Sequence, residues 1–171
     1  MSQIFEGIVC RMLPEKVGSL SRQVFSKTKL QLGLSELGDS VYAVYRNDDR
    51  TKSAFVPEMD RLGKELSLDI RDVLVARYDS RSGHVSSTLY KNGTVYKAFD
   101  EDDEIYVLLD EDGTPLVNGQ QFQYADLDPN EEYDTLYNAI QLGLEEMRLA
   151  PVWPRLLELI NNQGLASSTS P

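Results

Sequence analysis

Four short runs rich in β-branched and aromatic residues follow one another between Val73 and Leu109: Val73–Tyr78, His84–Tyr90, Thr94–Phe99 and Ile105–Leu109. Turn-forming stretches separate them, namely Asp79-Ser80-Arg81-Ser82-Gly83, Lys91-Asn92-Gly93 and the acidic run that starts at Asp100. Asn-Gly between two such runs is a strong hairpin signal, because both residues tolerate positive φ. The consequence is an antiparallel meander. It commits the chain to an α+β fold, since the remaining apolar periodicities are partly helical.

Further strands and helices read outward from that centre. Residues 3–12 form a strand with Ile4, Ile8, Cys10 and Met12 on one face, and Pro14 stops it. Val17, Leu20 and Val24 then recur at helical spacing from Glu15 to Ser26. Leu30, Leu32 and Leu34 alternate before Gly38-Asp39, and Val41–Arg46 follows, which reads as a second hairpin. A helix follows Pro57 with Met59, Leu62 and Leu66 on one side. Asp128-Pro129-Asn130-Glu131 combines a side-chain cap, a first-turn proline and an acid three residues later, so a helix starts there. Its stripe is Tyr133, Leu136, Tyr137, Ile140, Leu144 and Met147. Pro151-Val152-Trp153-Pro154 breaks the chain before a last helix, Arg155–Asn162, ended by Gly164. The expected architecture is an antiparallel sheet of five to seven strands with helices packed on one face. Residues 1–165 make one domain on this reading, and 166–171 a small, polar, disordered tail.

The charge is unevenly placed. Of a net −11, the stretch from Ala98 to Met147 supplies fifteen acidic residues and no basic one, while the flanking parts are slightly basic. Such a field repels phosphate backbones and anionic lipid and attracts basic proteins or cations. Nucleic acid and membrane surfaces are therefore disfavoured partners. Asp100, Glu101, Asp102, Asp103 and Glu104, then Asp110, Glu111 and Asp112, fall largely at loops, with Tyr106 on the strand between them. If consecutive strands pair in order, the two acidic groups flank that strand at opposite ends. Asp128, Glu131 and Glu132 have a structural explanation, since they oppose the positive end of a helix dipole.

Catalytic and metal-binding patterns are weak by comparison. Calcium-loop spacing fails: from Asp100 the sixth position is Ile105, and from Asp110 it is Pro115, where glycine is required. Phosphate-cradling glycine loops and a Gly-x-Ser-x-Gly elbow are absent. His84 is the only histidine; it lies near Asp79, Ser80, Ser82 and Ser86, and an ordinary turn histidine is the plainer account than a triad base. Cys10, the only cysteine, sits in an apolar strand and reads as an inert buried thiol. Its solitude fits a reducing compartment. With no apolar run near the length of a bilayer and no leader pattern, a soluble cytoplasmic protein is expected. Tyr90, Tyr96 and Tyr106 lie on adjacent expected strands, where cross-strand packing is a plainer account than an exposed aromatic row.

The functional reading that follows is a non-catalytic acidic interaction protein, which presents residues 100–104, 110–112 and Tyr106 to a basic protein partner. It calls for no cofactor or metal. An inhibitor, an immunity-type protein and an assembly factor all share this profile. The alternative class is a small hydrolase or transferase that uses a carboxylate cluster with a divalent cation.

Overall fold

The computed structural model describes residues 4–11, 32–47, 55–102, 105–108, 121–123 and 138–169, with isolated positions between 15 and 22. Residues 100–102, 105–108, 121–123, 138 and 163–169 are described by their backbone alone. The helix expected over Glu15–Ser26 falls mainly outside the described residues, as does the first half of the one expected to start at Asp128, whose second half is the helix Asn138–Glu146.

Among the described residues, eight strands form one antiparallel sheet: β1 (Ile4–Arg11), β2 (Leu32–Gly38), β3 (Val41–Arg46), β4 (Asp72–Asp79), β5 (His84–Lys91), β6 (Thr94–Asp102), β7 (Ile105–Leu108) and β8 (Gln121–Gln123). Their order across the sheet is β2-β3-β1-β4-β5-β6-β7-β8. From β4 onward this is the expected meander, strand pairing with the next strand. The Asn92-Gly93 turn closes β5 to β6 with φ of 52° and 79°, as its residue types require. The β2–β3 hairpin turns at Asp39 and Ser40, both with positive φ, one residue later than Gly38-Asp39 suggested.

The entry of the chain is less local. β1 pairs with β3 on one side and β4 on the other, so it lies near the middle of the sheet. Its sequence shows why that position suits it. Ile4, Phe5, Ile8, Val9 and Cys10 are all buried, as are Val73, Leu74, Val75 and Ala76 of β4. Strands with apolar residues at consecutive positions bury both faces, whereas strict alternation buries one.

The α+β class and the antiparallel sheet hold, but the helices do not share a face. Helix α1 (Pro57–Ile70) places Met59, Leu62 and Leu66 against Ile8, Cys10, Val44, Val73, Val75 and Tyr90. Helices α2 (Asn138–Glu146) and α3 (Trp153–Thr169) cover the opposite face. There Ala139, Ile140, Leu144, Leu156 and Ile160 join Phe5, Val9, Leu74, Ala76 and Leu89. The correction follows from β1 and β4: neighbours such as Leu74 and Val75 point to opposite sides, and each side needs a cover. Full burial of each large apolar side chain is worth about 1.5–3 kcal/mol.

Two glycines set how closely the covers approach. A Cβ on Gly63 of α1 would lie 2.6 Å from Val75 Cγ2, and one on Gly143 of α2 would lie 2.7 Å from Leu74 Cδ1 and from Ser87 Oγ. The two helices thus rest on successive residues of β4 from opposite sides.

Helix α2 ends in a Schellman arrangement. Leu149 N–H donates to Leu144 O at 2.8 Å and Arg148 N–H to Glu145 O at 2.9 Å, with Arg148 at φ 58°. A short 3-10 turn, Ala150–Val152, leads into α3. That helix begins at Trp153, with Pro154 tolerated in its first turn, and continues through Gly164, where an end was expected. A glycine inside a helix costs about 1 kcal/mol relative to alanine, which does not oblige a helix to stop.

Candidate functional site

Two regions carry the polar chemistry, and they meet by strand register. The first is the acidic end of β6. Asp100, Glu101 and Asp102 belong to the strand itself, which runs three residues beyond the expected end at Phe99. Ladder pairing on both sides accounts for the extension: Asp100 pairs with Ser86 of β5 and Val107 of β7, and Glu101 with Val85 and Tyr106. Pairing of this kind overrides the low intrinsic strand preference of Asp and Glu. Asp102 pairs with Ile105 across the connection to β7. Tyr106 lies on β7, between Glu101 of β6 and Phe122 of β8. Asp103, Glu104, Asp110, Glu111 and Asp112 lie outside the described residues. The backbone therefore brings Asp100, Glu101 and Tyr106 together at one end of the β6–β7 pair.

The second region is a chain of charges beneath the start of α1. Glu6 of β1 is 1% exposed and Arg46 of β3 is 2% exposed, which is rare for ionised groups unless they are paired. Arg46 Nη1 donates to Glu6 Oε1 at 3.1 Å, and the same oxygen accepts the Val56 N–H at 3.1 Å. Arg77 of β4 donates Nε to Glu6 Oε2 at 2.7 Å. Its Nη1 then reaches Asp60 Oδ1 of α1 at 3.2 Å, while Nη2 donates to Asp60 Oδ2. Tyr90 Oη closes the chain by donating to Asp60 Oδ1 at 2.8 Å. The Arg77 guanidinium also lies 5.6 Å from the centre of the Phe55 ring.

Two carboxylates and two guanidiniums thus balance one another, with the α1 N-terminus tied in through Val56 and Asp60. Burial works against the Arg77 charge, but the hydrogen bonds and charges of Asp60 and Glu6 outweigh it, so its pKa lies above the usual arginine value. The segregation of charge along the sequence does not point to this network. Its signal was present as single charged residues, Glu6 and Arg77, inside otherwise apolar strands, because a charge at such a position needs a partner across the sheet.

Register joins the two regions. Asp100 pairs with Ser86, Ser86 with Arg77, and Arg77 with Glu6, so one row crosses β6, β5, β4 and β1. The next row holds Glu101, Val85, Tyr78 and Phe5.

The β4–β5 turn lies at the same end of the sheet. Asp79 accepts both from the Arg81 backbone N–H at 2.9 Å and from its guanidinium at 3.0 and 2.9 Å. The Arg81 hydrogen bond holds the Asp79 carboxyl below its usual pKa, and Asp79 raises that of Arg81 in turn. Ser82 Oγ accepts the His84 backbone N–H at 3.4 Å and donates to Asp79 O at 3.5 Å. The His84 ring lies 6.1 Å from Phe55, tilted by 45°. Asp79 and Ser82 are engaged in building the turn.

Cys10 is fully buried, and burial pushes its thiol up to about 12, the environment of an unreactive cysteine. The three tyrosines do not line up. Tyr90 is buried against α1, whereas Tyr96 stands 46% exposed at a β-bulge, where Leu89 pairs with Lys97 and Tyr90 with Val95. Lys91 Nζ lies 4.1 Å and Lys97 Nζ 5.6 Å from the Tyr96 ring centre, so this ring faces cations rather than acid.

Among the described residues, no three His, Cys, Asp or Glu side chains converge to hold a metal ion. No described helix is long and apolar enough to cross a membrane. No protein-family model, curated protein or solved structure matches the chain.

Proposed function

We propose that the protein is a non-catalytic interaction protein that receives a basic protein partner on its acidic stretch, with Asp100–Glu104, Asp110–Asp112 and Tyr106 as the contact residues. The observation that carries this reading is the segregation of charge in the sequence, fifteen acidic and no basic residues between Ala98 and Met147. Arg46 and Arg77 are held by Glu6 and Asp60, Arg81 by Asp79, Lys91 faces Asp72 at 3.7 Å, and Lys97 binds Glu146 at 2.7 Å. Four of these five are paired with acids from outside the 98–147 stretch; only Lys97 reaches into it. A stretch so composed sets up a negative field that attracts an external cation. Aromatic side chains are enriched at protein-binding patches, which gives Tyr106 its place in the proposal.

A cytoplasmic setting belongs to the same proposal, supported by a lone buried cysteine that forms no disulfide.

The test is charge reversal. Asp102→Lys, Asp103→Lys and Glu104→Lys together are expected to weaken partner capture at least tenfold at low salt and to flatten its salt dependence, with an unchanged circular dichroism spectrum. Unchanged capture and an unchanged salt slope would defeat the proposal.

A further inference from the structure

No further inference is drawn: the strongest candidate, the half-open apolar shelf of Leu32, Leu34 and Tyr42 on the α1 face of the β2–β3 hairpin, has nothing in the structure to show what covers it.

Discussion

The two faces of the sheet solve the same covering problem with different chemistry. On the α2/α3 face, Phe5, Val9, Leu74, Leu89, Ile140, Leu144 and Leu156 pack almost without polar groups; Ser87 is the buried exception, donating to Ala139 O at 2.7 Å. On the α1 face, the apolar cluster around Met59, Leu62 and Leu66 gives way to Arg46, Glu6, Arg77 and Asp60. An apolar interface is tolerant of small shifts in register, because any well-filled arrangement scores similarly. A chain of paired charges is not, because each member left alone would bear a desolvation penalty. The α1 face therefore fixes where the helix starts, and the α2/α3 face supplies much of the buried apolar area.

The largest expected effect breaks this comparison at Glu6. Glu6→Leu leaves Arg46 and Arg77 buried beside a single remaining carboxylate, and removal of one member of a buried pair costs about 3–5 kcal/mol. Replacing all four charges, as Glu6→Leu with Arg46→Met, Arg77→Met and Asp60→Asn, is expected to restore most of that loss, since an uncharged replacement of similar volume is often neutral. Urea unfolding of the two variants measures both. A single-variant loss below about 1 kcal/mol would show that the network does not anchor α1.

An intermediate effect compares the covers directly. Gly63→Ala and Gly143→Ala each force a methyl against β4, at Val75 on one side and at Leu74 and Ser87 on the other. Overpacking costs about 1–3 kcal/mol, and improved helix propensity returns about 1, so net losses of up to about 2 kcal/mol are expected on both faces. Equal losses would indicate that both helices seat by the same close approach. A stabilised Gly143→Ala would mean that α2 rides further from the sheet.

A third effect is an alkaline pH dependence on the α1 face. Cys10 has a folded pKa raised to about 12 from 9.0 because the thiolate is unfavourable when buried. The unfolded chain ionises first, so the contribution is intact below pH 9 and is lost as pH rises from there toward 12. One such group gives a slope of at most about 1.4 kcal/mol per pH unit. Stability of the native chain relative to Cys10→Ala, measured by urea unfolding between pH 8 and 10.5, is expected to fall over that range. A constant difference would contradict the burial of this thiol.

Much of the fold was legible because its decisive signals are local. Asn92-Gly93 fixed one hairpin, and Pro57 with Met59, Leu62 and Leu66 marked α1. Ile140, Leu144 and Met147 fell on the buried side of α2 as their spacing required. What escaped was non-local. Nothing within residues 4–11 says that β1 inserts between β3 and β4, because that choice depends on partners thirty or more residues away. The double-sided cover was readable in principle from Val73-Leu74-Val75-Ala76, where four consecutive apolar residues leave no polar face. Residues Asp100–Asp102 read as a loop from composition, and only their pairing with β5 and β7 makes them strand.

The candidate site divides in the same way. Charge segregation was visible at once, since it needs only a count along the chain. The row joining Asp100 to Ser86, Arg77 and Glu6 was not, because it exists only once four strands are in register.

The central claim is that the acidic stretch receives a basic protein, and capture from the source cell's lysate tests it most directly. The native chain and the 102–104 reversal variant are immobilised side by side, washed at low and at high salt, and the retained proteins identified by mass spectrometry. One basic protein is expected to be held by the native chain at low salt, released as salt rises and missing from the variant. Retention of that protein equally by both chains, or no retained protein at either salt, would contradict it.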